Sequence, residues 1–595
     1  LSAGWRPAWL GGLLLLLGCA PPPAAVTAPS RTSRTVSVER SADGRWQLLR
    51  DGQPYVLRGA GAHTRLPLLA SSGATSFRTW GVGPDTAARL DEAERLGLTV
   101  SLGIWLGHVR HGFDWHDDAQ LAEQREAVRE AVLAYRDHPA LLLWGVGNEM
   151  ELRNDDPAMW REVGELVRMV RDLDPHHPAM VVTAELGEGN RNAERLRTFV
   201  PDLQIWGINS YGGAPSIPER LDAAGYDGPF VITEVGNRGD WESPRTDWGT
   251  PLEQTSTEKS QAYRDALAAV AEDPRHLGTY AFLWARGPTP AETWYALLGP
   301  GDIRFEPVDA LIEAWTGAPP DDRAPSIATL DAPFANARVA PGAALEARLS
   351  AEDPEGEALG YAWILSRDAE VAWDAPSPGV DTCRETTDAT FTGTAPTTPG
   401  PWRLLGVAVD PAGHAAYASA RFYVEGRLPR GPALPFWVDG PFGPSGWMGD
   451  ANARVTMDEC PPRPGFCQGP CRRFTYRGGE GEEGWAAIAW MHPQGNWQGQ
   501  REGVRVPPGG GVVELVAWGA EGGETVTFSV GNYEVDGFGR SLRDVVLSAD
   551  PTTYRMELDA AVGNDVVFGL TWAATDPGDD AEMVFHVADA RWIAE

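Results

Sequence analysis

From residue 56 to about residue 315, short apolar runs alternate with stretches whose apolar residues recur every three or four positions. The runs read as strands at 56–62, 75–80, 99–105, 141–147, 180–184, 205–210, 230–233 and 279–284. Between them, 87–96, 121–135 and 160–173 are rich in helix formers and carry an apolar stripe, so they read as amphipathic helices. Strand and helix in strict alternation is the signature of parallel strands joined by crossover helices, and the length suits one eight-fold (β/α) barrel of the TIM type. Just before it, Asp43-Gly44 and Asp51-Gly52 punctuate two short apolar segments within 36–57, which predicts a small hairpin closing the bottom of the barrel.

Past residue 315 the helical period disappears. A Pro/Asp/Ala-rich joint at 317–326 leads into alternating segments such as 345–349 and 361–365, the pattern of an all-β module. Asp353-Pro354-Glu355-Gly356 followed by Leu359-Gly360-Tyr361-Ala362-Trp363 resembles an immunoglobulin-like or PKD-like repeat, a kind of module that commonly serves as a spacer. A second Pro-rich joint at 428–435 precedes strands expected at 486–491, 513–518, 526–530, 566–572 and 583–587, a β-sandwich of jelly-roll type. Gly446-Trp447-Met448-Gly449-Asp450 and Gly495-Asn496-Trp497 in this last part resemble carbohydrate-binding modules. The expected organisation is therefore a signal segment at 1–19, a low-complexity linker at 20–35, a barrel with its hairpin at 36–318, an immunoglobulin-like spacer at 324–425 and a jelly roll at 434–595.

Composition narrows the partners. A net charge of −33 spread over 595 residues repels nucleic acid and anionic lipid. Twenty-five Trp supply flat, rigid apolar faces of the kind that stack on sugar rings, which favours a carbohydrate partner. At the N-terminus, Arg6 precedes the Leu13–Leu17 run and then Gly18-Cys19-Ala20, a secretory signal too short to span a bilayer as a mature helix. Leu16-Leu17-Gly18-Cys19 resembles a bacterial lipobox, which implies lipidation at Cys19 and an exported protein, periplasmic or at the cell surface, that meets the membrane through its lipid anchor alone. Cys383, Cys460, Cys467 and Cys471 remain, an even number in a disulfide-permitting compartment. At least one bridge is expected, with Cys460–Cys471 preferred; no His adjoins these cysteines, so no metal is expected there.

Retaining cleavage of a β-glycosidic bond needs two carboxyl groups about 5–5.5 Å apart, one ionised to attack and one protonated to release the leaving group. A barrel offers such groups at the C-terminal ends of different strands. Glu149 follows Leu141-Leu142-Leu143-Trp144-Gly145-Val146-Gly147-Asn148, and Glu234 follows Pro229-Phe230-Val231-Ile232-Thr233, so both stand at strand exits. With Tyr135-Arg136-Asp137-His138-Pro139 and Asp174-Pro175-His176-His177-Pro178, these stretches resemble the catalytic barrel of glycoside hydrolase family 2 and the wider clan of retaining barrel glycosidases. The resemblance implies that Glu149 is the acid/base and Glu234 the nucleophile. It further implies that Asn148 binds the sugar 2-hydroxyl, Arg78 holds the nucleophile ionised, Tyr211 hydrogen-bonds it, and Trp284 is the platform under the sugar. Trp105, His108, His111 and Trp115 after the third strand are candidates for sugar subsites, and Trp497 for stacking in the last module.

The expected activity is hydrolysis of a β-linked glycan by double displacement, a β-glucan being the leading candidate, with no metal or organic cofactor. A transglycosylase would use the same carboxylates and differ only in the acceptor. A surface glycan-binding lipoprotein with an inactive barrel is the alternative from another class.

Overall fold

The computed structural model describes residues 34–593 apart from 286–291, 369–379, 427–431, 433, 462, 464, 480–482, 508–509, 559–564 and 579–580. The signal segment, Cys19 and nearly all of the expected linker lie outside the described residues.

Three short strands open the described chain, β1 (Val36–Arg40), β2 (Trp46–Arg50) and β3 (Gln53–Tyr55). They form a sheet of their own, one strand more than the sequence suggested. This sheet lies under the barrel, where Val36 and Leu48 pack against Leu142, Met180, Val182 and Tyr280. Eight strands follow: β4 (Leu57–Gly61), β5 (Ser76–Arg78), β6 (Thr99–Ile104), β7 (Leu141–Val146), β8 (Ala179–Ala184), β9 (Ile205–Asn209), β10 (Phe230–Val235) and β11 (His276–Ala281). They close a parallel barrel in chain order, β11 returning to β4. Strands β6, β7 and β10 are buried at every position, which is why they read as unbroken apolar runs. The last strand begins and ends about three residues earlier than its apolar pattern suggested.

Three of the barrel helices carry side-chain N-caps. In α1 (Asp118–Tyr135) the Asp117 carboxylate accepts from the N–H groups of Ala119 and Gln120. In α2 (Pro157–Leu173) Asp156 caps ahead of a proline at the first helical position. Thr255 and Glu258 form a reciprocal capping box for α3 (Ser256–Ala271). Each such cap is worth about 1 kcal/mol. The inner face of α2 buries Trp160, Val163, Leu166, Val167 and Val170 against the barrel, and full burial of each such side chain contributes about 1.5–3 kcal/mol.

The middle module is a sandwich of two antiparallel sheets, one built on Gly360–Arg367, Val380–Thr386, Gly400–Val409 and His414–Val424, the other on Ser326–Asp331, Ala344–Glu352 and Thr390–Thr394. It packs directly against the barrel. A barrel-side strand, β12 (Arg304–Phe305), pairs in parallel with His414 and Ala415 of its larger sheet. Behind that joint Lys259 Nζ lies 2.6 Å from Glu253, and Arg403 of the module reaches the other Glu253 oxygen at 2.8 Å. Tyr417 of the module also donates to the Thr293 carbonyl. Buried charges on one side of the seam are thus neutralised from the other, which ties the two bodies together.

The last module is a second antiparallel sandwich. Cys460–Cys471 closes a loop within it, and Cys383–Cys467 joins it to the middle module, each with Cα atoms 5.5 Å apart. Phe305 of the barrel side, Tyr417 of the middle module, and Trp437 and Phe466 of the last share one buried cluster, so all three parts meet there.

Candidate active site

The site is made by strand ends. Gly147 (φ 74°) and Glu149 (φ 54°) both take left-handed backbone conformations, turning the chain sharply as it leaves β7. A non-glycine residue in this region carries local strain, a feature that concentrates at functional sites. The turn is held by the Glu149 N–H donating to the Val182 carbonyl at 3.0 Å. Glu234 needs no turn, because it is the fifth residue of the six in β10 and points inward near its end.

Glu234 is 5% exposed, and three donors converge on it. Arg78 Nη1 lies 2.8 Å and Trp80 Nε1 2.8 Å from Oε1, while the Tyr211 hydroxyl donates to Oε2 at 2.6 Å. Charge-assisted hydrogen bonds of this kind strongly favour a negative carboxylate. The Tyr211 hydroxyl stays a donor because burial and the Glu234 charge keep its pKa well above the ordinary tyrosine value. Trp80 reaches the nucleophile candidate because Gly103 leaves room for the backbone of Thr79 and Trp80, where any Cβ would meet the Thr79 carbonyl at 2.4 Å.

Glu149 has the opposite environment. Its one hydrogen-bond donor among the described residues is Asn209 Nδ2, at 2.8 Å. Burial, and then the charge of Glu234, push its carboxyl up to about 7. A carboxyl group that keeps its proton beside a second one held by several hydrogen-bond donors is a recognised arrangement for acid and base roles. Asn148 joins the two halves: its Oδ1 accepts from Arg78 Nη2 at 2.7 Å and from Asn209 Nδ2 at 3.1 Å. With the carbonyl so occupied, the Asn148 amide N–H groups are left for a ligand.

Trp284 does not lie at the cleft. It is wholly buried, donates Nε1 to the Arg65 carbonyl at 3.2 Å and packs near Trp315. The Trp284 N–H still bonds the Gly61 carbonyl at the end of β4, so the backbone stays on the barrel while the indole packs outward toward Trp315. Phe282 takes the inner position instead, edge-on to both Trp80 and Tyr211 at 5.7 Å. Trp105 is 43% exposed and stacks on His108 at 4.8 Å. His108 itself is buried beneath it, and burial lowers its pKa to about 4, so only Trp105 and His111 of this group offer a surface. Trp115 is buried, edge-on to Phe113. In the last module Trp497 is 42% exposed, one edge resting on Phe568.

Asn209, Trp80 and Trp241 were not singled out from the sequence. Asn209 ends β9 and bonds Glu149, Asn148 and the Thr233 hydroxyl together, although Asn209-Ser210-Tyr211 was already at a strand exit. Trp241, in the loop after β10, is 62% exposed with its edge against Tyr211 at 5.3 Å. Its signal was available as Gly239-Asp240-Trp241-Glu242 directly after the seventh barrel strand. Two groups with metal-ligand chemistry, Asp91 with Glu94 and His138, and Asp322 with Asp410 and His414, lie away from this cleft.

The fold is thus a TIM-type barrel carrying paired carboxyl groups at its catalytic end, and the chain is similar to barrel glycoside hydrolases. It is 26% identical over 221 residues to β-galactosidase BoGH2A of Bacteroides ovatus, a match over 30% of this chain and 24% of that protein. The chain therefore matches about a quarter of that relative's length. Among solved structures, an FMN-binding β-glucuronidase from Faecalibacterium prausnitzii L2-6 superposes with TM-score 0.38 and 15% identity, over 66% of this chain and 58% of that one. Saccharomyces cerevisiae Gas2p in complex with laminaritriose and laminaritetraose gives TM-score 0.36 and 14% identity, over 49% and 70%. No family model matches.

Proposed function

We propose that this protein is a retaining β-glycosidase that hydrolyses a β-linked glycan, with Glu234 as nucleophile and Glu149 as acid/base. The observation that carries the reading is the contrast between the two carboxyl groups: Glu234 receives a guanidinium, an indole N–H and a phenol, whereas Glu149 is half-buried, has one amide donor among the described residues and holds its proton to about pH 7.

Glu234 attacks the anomeric carbon while Glu149 protonates the departing oxygen. Esterification then removes the Glu234 charge that helps hold the proton on Glu149. The Glu149 pKa falls, and the same residue becomes the base that activates water. The free amide of Asn148 supports binding of the sugar 2-hydroxyl, and exposed Trp241 and Trp105 supply stacking faces at opposite sides of the mouth. The relative's name, β-galactosidase, agrees with a β-linked substrate. A β-glucan remains the candidate polymer, with Trp497 as a stacking residue of the last module.

The test is turnover of an activated aryl β-glycoside by Glu149→Ala and Glu234→Ala. Each variant should lose nearly all activity with the fold intact, and full activity in either overturns the assignment. The reading also includes export and lipid anchoring at Cys19. Incorporation of labelled fatty acid that persists in Cys19→Ala would overturn that part.

A further inference from the structure

The last module does not hang free of the barrel; its cystine loop stands at the rim of the catalytic face. A cavity of about 110 Å³ lies between them. Its barrel wall includes Thr64 and Arg65, which follow β4, and Ala285, which follows β11. Both belong to the end of the barrel that carries Glu149 and Glu234, and His63, one residue before Thr64, packs 5.4 Å from the Trp80 ring that bonds Glu234. The opposite wall is Arg463, Gln468 and Arg472 of the last module.

That wall is rigid. Cys460–Cys471 closes it, and Cys383–Cys467 fixes its middle to the neighbouring module. Glu385 of that module accepts from the Phe466 N–H at 2.6 Å and the Cys467 N–H at 3.0 Å.

The lining suits hydroxyl groups. Arg65 is paired with Asp302, Arg463 Nη1 lies 3.3 Å from Asp589, and Arg472 Nε lies 3.8 Å from Asp439. Arg472 Nε is buried without a hydrogen bond among the described residues. Guanidinium donors whose charge is balanced by acids behind them match neutral sugar hydroxyls better than anions, because the site carries little net charge to attract an anion.

We propose that the cystine loop of the last module completes the substrate cleft, forming with Thr64 and Arg65 a distal subsite for a neutral sugar unit of a longer β-linked chain. The module then selects polymer length directly, rather than by tethering alone. This rests on the glycosidase reading for the identity of the ligand.

The test compares the full chain with Arg472→Ala and with the Cys460→Ser/Cys471→Ser double variant, on aryl β-monoglycosides and on disaccharide to hexasaccharide series of β-glucan, β-mannan and β-galactan. The ratio of kcat/KM for the hexasaccharide to that for the monoglycoside should fall about tenfold in Arg472→Ala, the size expected when one hydrogen bond from a charged group is lost. The fall should appear in KM and not in kcat. The double variant, which frees the loop, should lose length preference in the same direction. A ratio unchanged in Arg472→Ala overturns the proposal, as does an equal loss on both substrate types. Calorimetry of the same hexasaccharides separates the two readings. Binding without cleavage by the wild type, weakened about tenfold in Arg472→Ala, removes the glycosidase and keeps the subsite. Neither binding nor cleavage across the panel removes both.

Discussion

Replacing Asn209 by Ala removes the only hydrogen bond that the described residues donate to the Glu149 carboxylate and leaves Glu234, Arg78 and the burial of the site in place. The Asn209 amide lowers the Glu149 pKa against the upward push of burial and of Glu234. A hydrogen bond to a charged group is worth about 1.5–3 kcal/mol, and one pH unit corresponds to about 1.36 kcal/mol. Losing it should therefore raise the Glu149 pKa by roughly one to two units from its value of about 7. The sign matters for catalysis. Glu149 must be protonated to release the leaving group, so wild-type kcat/KM should fall as pH rises through about 7. In Asn209→Ala that alkaline limb should move upward by the same one to two units. The assay is the pH profile of kcat/KM on an aryl β-glycoside whose leaving group needs protonation, with circular dichroism confirming the fold at each pH. A limb that stays in place, or moves to lower pH, refutes the assignment of Glu149 as the acid and of Asn209 as its donor.

Other outcomes follow from the same geometry. Arg78→Met removes the guanidinium shared by Glu234 and Asn148 and should lower kcat about 10²–10³-fold, on the scale of losing a preorganised electrostatic donor; a change within twofold contradicts its placement. Trp241→Ala should raise KM by about twofold to tenfold, as expected for one lost aromatic contact, with kcat much less affected. Trp284→Phe should leave KM unchanged and destabilise the barrel by about 1–3 kcal/mol in denaturant unfolding, because its indole is buried and bonded to Arg65. Glu253→Gln should cost about 3–5 kcal/mol at neutral pH by leaving Lys259, Arg403 and Arg421 without their shared acid. Burial would push the Glu253 carboxyl up, but those three cations outweigh it and hold it at about 2. Its contribution is therefore present above the unfolded value of about 4.3 and lost as pH falls toward 2, and the acid-unfolding slope over that window should shrink in the variant.

The barrel was legible because its strands are buried on both faces, so β6, β7 and β10 appear as continuous apolar runs bounded by turns. Glu149 and Glu234 could be read because each directly follows or ends such a run. Asn209 and Trp80 could not, since their roles depend on how β5, β7, β9 and β10 line up around the barrel, which no local spacing encodes. Trp284 was misplaced because an apolar run does not say which of its aromatic residues, Phe282 or Trp284, faces the cleft. The docking of the two β modules was hidden for a different reason. Glu253, Lys259, Arg403 and Arg421 look like solvated surface charge in the sequence, and only their convergence at one seam makes them buried partners. The Cys460–Cys471 pairing was a short-range choice, whereas Cys383–Cys467 spans 84 residues and two modules.

The most direct test of the central claim is the stereochemistry of the glycosyl azide formed by each alanine variant from an aryl β-glycoside, read by proton NMR. In Glu149→Ala, azide intercepts the intermediate carried by Glu234 and should give the β-glycosyl azide. In Glu234→Ala, azide enters from the vacated face and should give the α-glycosyl azide. The same anomer from both variants, or the two anomers exchanged, would contradict the assignment of nucleophile and acid/base.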